Sequence, residues 1–167
     1  MSRILSVCDG ALFGMDDLPP RSTPSFSQTP DVVHFSSADP EQARSLLNRF
    51  YYPLAMGIAD NAAAFGLCAE VIQLGPLTVG HLSFAGPVTF RALELDAYHV
   101  SMPTTGRLHA RHAGHEVIAT PSIGVIWGPG HPAHARLDAK TAVLALRIDR
   151  KALEEELASL LGHPIEG

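Results

Sequence analysis

The chain has 167 residues, of which 46% are hydrophobic and 17% charged, with a formal net charge of −5. That length suits one domain of ordinary size, and the apolar fraction is enough to bury a core without staples. The 12 Lys and Arg residues form no run longer than Arg150-Lys151, which argues against this segment gripping nucleic acid, because phosphate neutralisation needs clustered basic groups.

From the N-terminus, Met1 to Ala11 carry one Arg and a brief apolar stretch broken by Cys8, Asp9 and Gly10. That is too short and interrupted for a signal h-region. No stretch approaches the ~20 apolar residues of a membrane span, so a cytoplasmic protein is expected. Cys8 and Cys68 make no C-x-x-C pair or metal-finger spacing and read as two thiols in a reducing compartment. Residues 1 to 33 read as a tail, because the Pro, Ser and Thr between Leu18 and Pro30 cannot offset the entropy of ordering them. The domain is expected over 34 to 167.

A helix follows with clear punctuation. Asp39 is placed to cap it, Pro40 suits the first helical position, and Gln42 stands where a capping box takes Glu or Gln. Ala43, Leu46, Leu47 and Phe50 recur at helical spacing, and Pro53 ends the run after Tyr51 and Tyr52.

From about residue 67 the pattern becomes one of strands: Cys68 to Leu74, Leu77 to Phe84, Val88 to Leu93, Ala97 to Met102, Gly106 to His112, Glu116 to Thr120, Ile123 to Trp127 and Ala142 to Ile148. Gly75-Pro76, Gly86-Pro87, Ala113-Gly114 and the segment Gly128 to Pro132 supply the turns. Many short strands with regular punctuation predict a sandwich or barrel, and the absence of long intervening helices excludes a parallel βαβ sheet. The chain closes with a helix capped by Asp149, carrying Leu153, Leu157, Leu160 and Leu161 on one stripe and stopped at Gly162. The stripe suits packing on the sheets, a dimer seam, or both.

Phe35 to Arg44, the hairpin Leu74 to Phe84, Tyr98 to Pro103 with Gly106, Ala119 to Ser122, Gly128 to Pro132, and the terminal block Leu146 to Glu154 with Leu160 to Ile165 together resemble the N-terminal regulatory domain of AraC/XylS-family transcription regulators. The resemblance implies a mainly β, cupin-like β-barrel of the double-stranded β-helix or jelly-roll type, flanked by an N-terminal helix and a leucine-rich C-terminal one. It implies a domain that senses a small organic effector and forms a homodimer, with DNA bound only through two helix-turn-helix units in a C-terminal part expected to be absent from this chain. No enzyme activity, cofactor or membrane association is expected.

The nine histidines raise an alternative, a small cupin-type metalloenzyme. Cupin enzymes use an H-x-H pair, since positions i and i+2 share one face of a strand. Here His109, His112 and His115, followed by Glu116, are spaced i, i+3, i+6, so His109 and His112 point to opposite faces, and no metal is expected. His131 and His134 fall where a second cupin motif would lie. There is no nucleophile elbow, paired-carboxylate site or phosphate loop.

A binding pocket is the better expectation, drawn from Tyr98, Met102, Arg107, His109, Trp127 and His131. Alternation groups Tyr98, Val100 and Met102 against His99 and Ser101, and Arg107, His109 and Arg111 against Leu108, Ala110 and His112, without saying which face looks inward. Trp127 combines a large apolar body with one donor, and Arg107 or Arg111 could pair a carboxylate. The dimer seam is expected at Leu153, Leu157, Leu160 and Leu161. A third possibility is a domain filled by its own side chains and serving only for pairing.

Overall fold

In a computed structural model the structure describes residues 31–58 and 65–163. In chain order the elements are β1 (Val32–Ser37), α1 (Pro40–Phe50), β2 (Ala55–Ile58), β3 (Leu67–Leu74), β4 (Leu77–Phe84), β5 (Val88–Ala92), β6 (Ala97–Thr105), β7 (Leu108–His112), β8 (His115–Ala119), β9 (Val125–Trp127), β10 (Ala133–Leu137), β11 (Thr141–Asp149) and α2 (Arg150–Leu161).

Helix α1 starts where its cap dictates. Asp39 is extended, and its carboxylate accepts from the backbone N–H of Glu41 (2.8 Å) and Gln42 (3.4 Å). Gln42 does not reach back to the Asp39 backbone as in a capping box. Ser37 Oγ stands between them, accepting from the Asp39 N–H (3.0 Å) and donating to Gln42 Oε1 (2.7 Å). Ala43, Leu47 and Phe50 form the buried stripe.

The strands form two antiparallel sheets, one in the order β1-β3-β4-β11-β6-β9 and the other β2-β5-β10-β7-β8. The expected barrel is thus a cupin-like sandwich of two separate sheets, not a closed cylinder. β1 and β9 are the edges of one sheet and β2 and β8 the edges of the other, with no strand ladder joining the two sheets among the described residues. Pro103 lies within β6 but past His99 to Ser101, the residues that pair with β9, and next to a register shift against β11, which suits a residue with no N–H to give.

Three strands have no counterpart in the sequence reading. β1 is an edge strand paired only with β3, and it takes in Val32 and Val33 from the segment read as a tail. Residues 1–30 of that segment, with Cys8, lie outside the described residues. β2 and β10 lie on either side of β5. The Gly75-Pro76 and Ala113-Gly114 turns stand as expected, with Gly75 at φ +60° and Ala113 and Gly114 at +47° and +80°.

The inner faces of the sheets bury Leu67, Val71, Leu82, Phe84, Val88, Leu108, Trp127, Leu137 and Val143, and α1 covers one end with Leu47 and Phe50. Helix α2 lies outside this core with no fully buried residue.

Candidate functional site

Between the sheets, under the C-terminal end of α1, a cavity of about 80 Å³ remains. The six-stranded sheet contributes Leu82 and Phe84 from β4, His99 and Ser101 from β6, Val143 and Ala145 from β11, and Trp127 from β9. The five-stranded sheet contributes Phe90, Leu108, Ala135 and Leu137, and the segment leaving α1 closes the end with Tyr51, Tyr52 and Leu54. The wall is mostly aromatic and aliphatic because the residues are the inward members of alternating strands.

The few polar groups in the wall are mostly engaged. Trp127 Nε1 donates to Ser101 Oγ (3.2 Å), and the Tyr51 hydroxyl donates to the carbonyl of Ala145 (3.4 Å). The Tyr52 hydroxyl and the His99 ring form no hydrogen bond among the described residues. Tyr51 and Tyr52 both meet that ring edge-on with centroids 5.6 Å away, and its Nδ1 is buried. Burial, reinforced by the positive charge of Arg147, lowers its pKa to about 4, so the imidazole is neutral at neutral pH. Burial also pushes both tyrosine hydroxyls well above their usual range, keeping them as neutral donors.

Arg147 pairs with His99 in the β11–β6 register. Its guanidinium reaches the Asp96 carboxylate at 3.4 and 3.5 Å, so the cation nearest the imidazole has its own counter-ion.

Beyond Trp127 the wall is backed by His112. Its Nε2 accepts from the Gly128 N–H (2.9 Å), so Nδ1 carries the proton and donates to the carbonyl of Pro132 (3.2 Å). The ring stands edge-on to Trp127 at 5.7 Å, with His131 at 5.8 Å on its outer side.

Of the six residues expected to bind a ligand, Trp127 lines this cavity. The other five do not converge on it. Tyr98 faces outward, and its hydroxyl donates to Glu154 of α2 (3.3 Å). Met102 shares that outer face and is exposed. Arg107 is exposed, with its backbone tied to the Thr141 hydroxyl. His109 points out of the sandwich toward Asp138, at 3.5 Å. His131 is exposed on the loop before β10, beside His112. Ile123, expected to open the strand that ends at Trp127, is half exposed because it lies in an isolated bridge with Thr120 before β9 begins. Period-two alternation correctly opposed His99 and Ser101 to Tyr98, but it carries no sign for inside and outside. Tyr51 and Tyr52, absent from the expected set, were visible only as the aromatic end of α1. Among the described residues no group of three or more His, Cys, Asp or Glu is placed to hold a metal ion.

The cupin-like double sheet holds an apolar cavity with the unpartnered Nδ1 of His99 in its wall, and the family match makes this a regulatory ligand-binding domain. Residues 43–166 match the AraC-binding-like domain, and the chain belongs to that family. It is 33% identical over 143 residues to a protein of Rhodococcus erythropolis described as a probable thc operon regulatory protein, in an alignment covering 78% of this chain and 41% of that protein. In structure it is similar to the AraC-like transcriptional activator CuxR, with a TM-score of 0.61 and 14% identity over 81% of this chain and 55% of that one. A more distant likeness is to an RmlC-like cupin from Shewanella frigidimarina, with a TM-score of 0.43 and 14% identity over 59% of this chain and 88% of that one. The chain therefore spans under half the length of the first of these proteins and just over half of the second.

Proposed function

We propose that this domain is the effector-sensing and pairing part of a cytoplasmic transcription regulator. A small organic molecule occupies the cavity, α2 joins two copies, and DNA is contacted by a part of the regulator outside this chain. The domain itself turns over no substrate and needs no cofactor. The observation that supports this reading best is the cavity, set where both sheets and the end of α1 meet. A ligand there touches three structural units at once, so it can favour one arrangement of them over another. Among the described residues no helix is long and apolar enough to cross a membrane, in keeping with action away from one.

The test is thermal unfolding of the 167-residue chain against a library of small organic fragments, repeated on Ala135→Leu. Ala135 is a buried cavity-wall residue, and leucine would fill part of the space. A ligand that prefers the native state stabilises it by about 2.7 kcal/mol at a hundred times its Kd. Fragments that raise the melting temperature of the wild type and not of the folded Ala135→Leu variant support the cavity as the sensor. A library without such a fragment rejects it.

A further inference from the structure

We infer that the cavity's ligand is a small, uncharged, flat apolar molecule bearing one hydrogen-bonding group, which His99 satisfies. This rests on the reading of the cavity as an effector site and adds the chemistry of the effector.

Size sets the first limit. The space is about 80 Å³, against roughly 150 Å³ for an apolar cavity known to take benzene and about 300 Å³ or more for sites of drug-sized ligands. A single ring with one small substituent is the largest occupant that a modest movement of the wall admits. The wall sets the second. Phe84, Phe90, Trp127 and the two tyrosines present ring faces and edges, surfaces that favour a flat apolar body.

Charge sets the third. An ion entering an apolar cavity needs a counter-ion there to offset its lost hydration. Arg147 is engaged by Asp96. Arg91, at the rim, is exposed, and its Nε donates to His134 Nε2 on the outer side of the sheet (3.3 Å). The imidazole is neutral, so neither an anion nor a cation finds its opposite inside. The Nε of Arg147, the cross-strand neighbour of His99 on β11, lacks a hydrogen-bond partner but does not line the cavity; among the described residues that do line it, the buried Nδ1 of His99 has no such partner. By choice of tautomer a neutral imidazole can present either a donor or an acceptor there. A hydroxyl or carbonyl on the ligand supplies what the protein leaves missing.

Three probes of similar size separate these claims: phenol, toluene and benzoate, titrated at pH 7 and followed by thermal unfolding and Trp127 fluorescence. Phenol is expected to bind about five- to tenfold more tightly than toluene, the scale of one buried hydrogen bond, and benzoate not to bind. In His99→Phe the preference for phenol over toluene should vanish while toluene still binds. Should that variant not fold, the wild-type ranking alone decides. Benzoate binding as well as phenol overturns the exclusion of charge, and equal binding of phenol and toluene overturns the role of His99. If none of the three binds, the inference about ligand class falls. The effector reading itself is judged separately, by the fragment library and Ala135→Leu.

Discussion

The hydroxyl of Tyr51 stands over Gly80, in the space that a β carbon at that position would fill, and from there it donates to the carbonyl of Ala145 on the neighbouring strand. The tyrosine just past α1 therefore reaches through the cavity wall onto the six-stranded sheet, and glycine is what allows it.

Gly80→Ala should force the Tyr51 ring to move and break its bond to Ala145. The expected loss is about 1–3 kcal/mol, the usual cost of overpacking a core, read from urea unfolding midpoints. Tyr51→Phe in the same chain removes the clashing oxygen. The double variant should be more stable than the sum of the two single losses by roughly 0.5–3 kcal/mol. Strict additivity would show that the two residues do not oppose one another.

His99 makes stability depend on pH in one direction. Its native pKa of about 4 lies below the unfolded value of 6.5, so the unfolded chain binds the proton more readily across that window. Stability is full above about pH 6.5, falls as the pH is lowered toward 4, and changes no further from this group below that. The total is on the order of 3 kcal/mol. The difference in unfolding free energy between wild type and His99→Leu, measured from pH 7.5 to 4, should shift by that amount. A constant difference would place the imidazole in a solvated setting.

Ser101→Ala removes the acceptor of the Trp127 indole N–H inside a closed wall. Leaving that donor unsatisfied should cost about 1–3 kcal/mol in unfolding free energy. Because Trp127 is the only tryptophan and is 3% exposed, its fluorescence should report the change directly. Unaltered stability and emission would mean that the indole finds another partner.

Pairing through α2 can be tested where the fold is least at risk. Leu160 and Leu161 are each 59% exposed, while Leu153 and Leu157 are half-buried. Leu160→Glu with Leu161→Glu should leave the melting temperature within a few degrees and convert a dimer to a monomer in sedimentation equilibrium. A dimer that survives both changes moves the seam elsewhere.

What the amino-acid sequence settled alone are the features decided within a few residues of one another. The Asp39 cap and Pro40 start α1, Asp149 starts α2 and Gly162 in its left-handed conformation ends it. Ala113-Gly114 turns β7 into β8. Alternation showed that His99 and Ser101 oppose Tyr98 and Met102. Each depends on local backbone hydrogen bonding or on the pleat, so a short window of residues contains the whole cause.

Only the tertiary structure decided which of those faces looks inward. Tyr98 meets Glu154 of α2 on the outer face, while His99 and Ser101 face the cavity, and the contact between Tyr98 and Glu154 joins residues 56 apart in the chain. β1 carries almost no burial pattern of its own and is a strand because β3 offers it a ladder. The cavity likewise unites Tyr51, Phe84, His99 and Trp127, residues that no spacing rule connects. Inside and outside are set by the burial of two whole sheets against each other, a sum over the molecule that no single stretch of sequence contains.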